Sequence, residues 1–326
     1  MEQAPKWLPY RVRNKIDQWR INWALRGMDR VPPMRADDAD DADAEVFTLV
    51  CKRDLRLGAL ALKSLLHHRG TTRLCATVID DGSLSQSDIA WLDRQIPNLR
   101  WQKNRDPQVL DHPLMKRMPM VSALYTDSSF PFVAKYIHPC LLNRTERVVL
   151  VDTDTAFFRS PDRLLDFCAG RTTAPLYLHD HQDESKVVPA AAKAAFDQLI
   201  EQARLPDRRF RLNHWMFNAG LLAFKPAQFD VEIGERYLAW LKTIPQSAQT
   251  GQMSIWFGPW TREQTIYLLM FGSGPEEAQP LGDDYWLGGA EDRVFNHFLR
   301  FYLVRKQCLD MLRGLIERLA REVGSR

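Results

Sequence analysis

The sequence predicts an α/β fold, a mostly parallel, Rossmann-like sheet flanked by helices, with helical additions at its N- and C-terminal ends. From Val46 onward, short apolar runs alternate with stretches of helical spacing, the pattern of strands joined by crossover helices. One run, Val148 to Val151, is apolar at every position, as befits a strand covered on both faces. The chain has 326 residues and is 45% hydrophobic, enough to bury such a sheet in one large domain.

In order, VFTLVC reads as the first strand and Leu55 to His68 as the helix that follows. TTRLCATVID is a second strand, ended by the turn Asp81-Gly82-Ser83, with a helix through Ile89 and Leu92 after it. Phe132 to Leu142 has helical spacing, and Arg147 to Val151 is the apolar strand. Beyond it the pattern is less regular. Two short strands are expected around Phe217 to Phe224, and helices at Val231 to Leu241, Thr261 to Phe271 and Arg305 to Val323. The expected division is a basic helical segment at 1–35, a linker at 36–45, the main domain at 46–302 and a C-terminal helix at 303–326.

Residues 6–30 mix Trp7, Trp19 and Trp23 with Arg11, Arg13, Lys15, Arg20 and Arg26. Two readings stand: a helix packed on the main domain with its arginines in water, or a basic helix lying on an anionic membrane surface. ADDADDADAE, residues 36–45, has little to bury and is expected to be a flexible acidic linker.

A formal net charge of +3 gives no footprint for nucleic acid. The five cysteines, at 51, 75, 140, 168 and 308, contain no CxxC pair. They read as reduced thiols, not as a zinc or redox centre. The start lacks the apolar core of a secretory signal, and no apolar run approaches the ~20 residues that span a bilayer. The expected location is cytoplasmic, at most peripheral to a membrane.

The chemistry concentrates in RVVLVDTDTAFF. Ligands of open α/β sheets bind where strands end at their carboxyl side, and here Asp152 and Asp154 follow the apolar strand at once. Along an extended chain both would point one way, with Thr153 opposite. Two close carboxylates repel unless a counter-charge holds them. A divalent cation would do so and leave coordination sites for phosphate oxygens. A plain turn cap is the bland alternative. Another is a haloacid-dehalogenase-like phosphatase with Asp152 as nucleophile and Asp283-Asp284 as its late metal pair. That pattern usually has Thr or Val where Ala156 stands, and its nucleophile usually lies near the start of the domain.

These residues resemble the GT-A glycosyltransferases, in particular glycosyltransferase family 8, the glycogenin-like group, from about Phe47 to His297. FTLVCKRDLRLGALALKSLLHHRG is similar to that family's first strand, nucleotide loop and helix, which implies Cys51, Lys52 and Arg53 beside the base and ribose. Lys135 stands where the family has a basic donor contact. VVLVDTDTAFF resembles its metal motif, implying Asp152 and Asp154 as ligands of Mn²⁺ or Mg²⁺ and Thr153 near the ribose. FNAGLLAFKP resembles the segment that touches the donor sugar, implying Asn218, Ala219 and Gly220. Glu263-Gln264 stand where the family has Asp-Gln beside the anomeric carbon. The late His-x-x-Gly-x-x-Lys is not intact: His297 is the candidate third ligand, and Arg300 replaces the glycine.

Each residue also has a plainer reading. Asn218-Ala219-Gly220 is a possible turn, His297 a buried core histidine, and Lys135 an exposed helical lysine. Asp80-Asp81-Gly82 is equally a turn or, through Asp81, a contact to the base. His179 and His181 suit a solvated loop as well as an acceptor or metal contact. Tyr285, Trp256, Trp260 and Trp286 suit core packing as well as sugar stacking.

The function expected is transfer of a sugar, with retention, from a nucleotide-diphosphate donor, a UDP-sugar, to an acceptor hydroxyl on a glycan, lipid-linked or protein molecule. Lys135 and either Arg300 or Lys306 would neutralise the departing diphosphate, near Asn218, Glu263 and Gln264. The alternatives are the phosphatase and a non-catalytic sugar-nucleotide binding module.

Overall fold

The apolar runs assemble into a seven-stranded sheet in the computed structural model, which describes residues 9–127, 129–179, 217–243 and 262–323 together with residues 194, 197, 201 and 212. The strands are β1 (Ala44–Val50), β2 (Leu74–Asp80), β3 (Leu99–Lys103), β4 (Val148–Val151), β6 (Leu176–His179), β7 (Phe217–Phe224) and β8 (Gln279–Pro280), in the order β3-β2-β1-β4-β7-β6-β8. Only β7 runs against its neighbours; the other pairings are parallel. A small second sheet joins β5 (Thr155–Phe157), β10 (Phe295–His297) and β9 (Tyr285–Leu287). The mostly parallel α/β class expected from the sequence is the one observed.

Strand alternation divides the core. Val149 and Val151 of β4 join Val46, Val50, Leu221 and Ala223 in one cluster. Val148 and Leu150 join Phe47, Leu222 and Phe224 in the other. All four β4 side chains are fully buried, each contributing about 1.5–3 kcal/mol relative to an exposed position. The first cluster is covered by α2 (Leu55–His68) and by a terminal pair, α1 (Tyr10–Ala24) and α12 (Lys306–Val323). The second lies under α7 (Phe132–Leu141), α9 (Ile233–Leu241) and α10 (Arg262–Gly272). Strand order reverses between β1 and β4, so their carboxyl ends open the crevice in which α/β sheets bind ligands.

Four expectations need correcting. Residues 36–45 do not form a loose tether, because their carboxylates find partners: Asp37 takes Arg69 and the Leu74 amide, Asp43 takes Arg73, and β1 already begins at Ala44. Phe217–Phe224 is one continuous strand, because β4 and β6 flank it on both sides; no turn interrupts it at Asn218-Ala219-Gly220. The arginines of α1 are not all in water: Arg20 is buried beside Asp17. Finally, β3 and three short helices, α4 (Pro107–Asp111), α5 (Pro113–Arg117) and α6 (Pro119–Thr126), were not expected. Each helix starts on a proline, a residue suited to the first helical position. Trp7, His181, Trp256 and Trp260 lie outside the described residues.

Candidate metal and donor site

Beyond Val151 the chain leaves β4 and turns at once. The Asp152 amide donates to the Gly220 carbonyl, and the Thr155 hydroxyl donates to the Asp152 carbonyl. This closes a tight turn over Thr153-Asp154, after which β5 begins. The two carboxylates therefore converge through a turn, not through the pleat of an extended strand. Gly58 of α2 permits the close approach, since a Cβ there would lie 3.1 Å from the Thr153 methyl.

The second sheet brings the third group. β10 pairs antiparallel with β5, setting His297 opposite Thr155, and the Phe298 amide donates to the Asp154 carbonyl. His297 Nε2 lies 3.2 Å from Asp154 Oδ1 and 3.7 Å from Asp152 Oδ2. One ligand atom from each of Asp152, Asp154 and His297 falls within 4.8 Å of the others. An octahedral ion bound at about 2.1 Å sets neighbouring ligands about 3 Å apart, so the trio fits a divalent cation with little adjustment. Two carboxylates and an imidazole form a ligand set for a divalent cation.

The other face of the imidazole is fixed. His297 Nδ1 lies 3.1 Å from Asn218 Oδ1, which also accepts from the Gly220 amide at 2.8 Å. Donation from Nδ1 aims the Nε2 lone pair at the carboxylates, the usual device for orienting a metal-ligating histidine. A Cβ at Gly220 would overlap the His297 ring. Burial opposes charging His297, but Asp154 and then Asp152 outweigh it and its pKa is raised. Burial likewise acts to raise the Asp154 pKa, but the partnership with His297 wins and lowers it.

Behind Asp152 stands Lys135, buried in α7, with its ammonium 2.5 Å from Asp152 Oδ1 and 3.0 Å from Glu263 Oε1. The two carboxylates overcome the desolvation of the lysine and raise its pKa. Burial pushes the Glu263 carboxyl upward, with Lys135 pulling against it. Glu263 and Gln264 lie on the first turn of α10, and the Gln264 amide oxygen faces the Ala219 amide at 3.4 Å. Lys135 is thus no exposed helical lysine.

Two adjoining cavities make the cleft. The inner one, about 280 Å³, is lined by Lys135, Asp152, Asp154, Glu263, Gln264 and Arg300 among others. The outer one, about 960 Å³, takes in Cys51, Lys52, Arg53, Asp81 and Thr153. The two share Leu49, Arg53, Asp54, Phe132 and Thr153. Lys52 donates its amide to Ser83, and Ser83 in turn donates to Asp81, which ties the loops after β1 and β2 together. The Cys51 thiol is pushed up to about 11, by burial and then by the charge of Asp54, and stays protonated.

Ala219 and Gly220 do not line either cavity: both are inside β7, one facing the core and the other the His297 ring. Lys306 is far out on α12, paired with Asp310 and lining a separate hollow with Arg20 and Trp23. Arg300 does reach the cleft. Its guanidinium donates to Gln18 Oε1 at 2.6 Å and Asp54 Oδ1 at 3.3 Å, just after Leu299 takes a left-handed φ of 44°. Such a setting costs a non-glycine residue about 1–2 kcal/mol. Sequence reasoning did not find Gln18, Asn22 or Asp54, which also line the outer cavity. Asp54 carried a signal in the charged run Lys52-Arg53-Asp54; the two α1 residues carried none. Asp283 and Asp284 are outside the cleft lining, and His179 ends β6.

Neither a protein-family profile nor a curated protein sequence matches the chain. Among solved structures it is similar to the galactosyltransferase LgtC in complex with donor and acceptor sugar analogues, at 12% identity and a TM-score of 0.48, over 85% of this chain and 95% of that one. Mouse xyloside xylosyltransferase 1 aligns at 14% identity and a TM-score of 0.47, over 83% and 99%. The glycosyltransferase GlyE of Streptococcus pneumoniae aligns at 12% identity and 0.47, over 86% and 63%. All three are glycosyltransferases by name.

Proposed function

We propose that the chain is a GT-A-type glycosyltransferase that moves a sugar from a nucleotide-diphosphate donor, a UDP-sugar, to an acceptor hydroxyl in a reaction dependent on Mn²⁺ or Mg²⁺. The observation that carries this reading is the convergence of Asp152, Asp154 and His297 at the inner end of a cleft large enough for a nucleotide. Those three residues would hold the ion. When bound, the cation supplies charge that stabilises a departing diphosphate.

The protein residues divide the remaining work. Cys51, Lys52, Arg53 and Asp81 form the wall for base and ribose, with Thr153 at the junction of the two cavities. Arg300, held by Gln18 and Asp54, offers a fixed guanidinium to the diphosphate in place of a lysine. Lys135 holds Asp152 in place and pairs with Glu263, which faces the inner cavity near the sugar's reacting carbon. Asn218 acts through His297, orienting the ring. Gln264 faces the inner cavity and is positioned to hydrogen-bond the sugar. Retention of configuration follows from the family resemblance.

The phosphatase alternative needs Asp283-Asp284 beside Asp152, whereas the group beside it is His297. Assaying UDP release from a panel of UDP-sugars with Mn²⁺, beside phosphate release from phosphomonoesters, separates the readings. UDP release that stops on chelation supports the transferase. Phosphate release alone would replace it with the phosphatase, and donor binding without turnover would leave a binding module.

A further inference from the structure

A second concave surface lies away from the aspartate cleft, where α1 and the 3-10 turn after it (Leu25–Arg30) meet α12. The groove holds about 420 Å³ and is lined by Arg26, Arg30, Arg313 and Arg321 with Glu317, and Arg313 also pairs with Asp310 at 3.2 Å, which leaves the arginines in excess. The adjacent Asp29 does not offset them, being engaged by Arg56 and the Trp91 indole. Arg26 and Arg313 both stack on the Trp23 ring, at 4.5 and 4.4 Å, which fixes two of the charges in advance.

An apolar stripe adjoins these charges. Val12, Ile16, Trp19 and Trp23 follow helical spacing on α1 and share one face. Among the described residues, the large hydrophobic side chains left exposed are Tyr10 (69%), Val12 (42%) and Trp19 (58%), all on this helix. A small soluble anion would satisfy the arginines and leave the stripe in water. A lipid surface offers phosphate and an apolar layer side by side. No described helix is long and apolar enough to cross a membrane, so attachment of this kind would be interfacial.

We propose that the face formed by α1, the turn after it and α12 docks on membrane rich in anionic phospholipid. The arginines of the groove take phosphodiester headgroups, and Trp19 and Val12 enter the interfacial layer. Gln18 and Asn22 of the same helix line the donor cleft, so a docked α1 brings the mouth of that cleft close to the membrane. This inference does not rest on the transfer reaction: vesicle binding without sugar transfer would leave it standing, and transfer without vesicle binding would end it alone.

The test is co-sedimentation of the full chain with vesicles of phosphatidylcholine, and with vesicles in which phosphatidylglycerol replaces half of it. Binding is expected only to the anionic vesicles, weakening as salt rises. Arg26→Gln with Arg30→Gln should lower the partition coefficient about fivefold for each guanidinium removed. Trp19→Ala should lower it as well, while Arg171→Gln, which removes a charge elsewhere, should leave it close to wild type. Circular dichroism checks that each variant is folded, and exposed Trp19 is a safe site. Equal binding to neutral vesicles, no binding to either, or equal losses in the Arg171 control would overturn the proposal. Release by millimolar glycerol phosphate, with Trp19→Ala unaltered, would also overturn it in favour of a small-anion site.

Discussion

Gly220 and His297 occupy one space: a side chain at position 220 would overlap the imidazole that completes the Asp152 and Asp154 cluster. The strand therefore needs glycine for a neighbour's ring, not for a turn. Gly220→Ala should leave the sheet formed but displace His297 from Asp154. Losing the orientation of a metal ligand typically costs 10–100-fold in affinity, and titration of Mn²⁺ by calorimetry would read it. Unchanged affinity would show that the ring is not needed for the ion.

Asp154→Asn removes one of the carboxylates and the main partner that raises the pKa of His297. The side chain is a quarter exposed, so the fold should survive, with a melting temperature near that of wild type. Metal-dependent donor turnover should fall below detection. Full turnover in this variant removes the metal role.

Lys135 is the counter-charge for both Asp152 and Glu263. Breaking a buried ion pair from one side leaves an unpaired charge and costs about 3–5 kcal/mol. Lys135→Met should show a loss of that order in urea unfolding. Adding Glu263→Gln should recover part of it, because the buried charge goes too. Strict additivity of the two losses would mean that the residues do not interact.

His138 supplies a pH dependence through a group outside the aspartate cluster. It is buried between the Tyr125 hydroxyl and the Gln102 amide, and desolvation, aided by Arg100, lowers its pKa to about 3. The unfolded imidazole takes a proton near 6.5, so between these values the unfolded state binds more protons. Stability must then fall as pH drops from about 6.5 toward 3, by up to ~1.4 kcal/mol per pH unit. His138→Gln should flatten that limb, shrinking the gap between wild type and variant by about 2 kcal/mol from pH 7.5 to pH 5. A gap independent of pH would contradict the burial of a neutral ring.

Much of the frame was legible because its signals are local. Four apolar residues before Asp152, and helical spacing from Leu55 to His68, fix a strand and a helix without knowledge of anything distant. The aspartate pair was legible in kind, but its convergence depends on a turn closed by Thr155 and on a glycine in α2. Asn218 and Gly220 were read as a turn or a sugar contact because sequence does not show which neighbour fills the space beside a strand. His297 was found only through a family pattern that is itself broken in this chain. Gln18 carried no signal: its place in the cleft comes from α1 folding back onto loops far along the chain. The acidic stretch at 36–45 misled because composition hides the arginines, Arg69 and Arg73, that its carboxylates meet.

The most direct test of the central claim is thermal unfolding of the wild-type chain with UDP-sugars, in the presence and absence of Mn²⁺. A ligand that binds the folded state alone raises its stability, by about 2.7 kcal/mol at a hundred times its dissociation constant. The site predicts a rise in melting temperature with the nucleotide sugar and Mn²⁺ together that exceeds the rise with either alone. It also predicts that Asp154→Asn lacks this rise. A nucleotide-sugar shift of the same size without metal, or no shift with any donor, contradicts it.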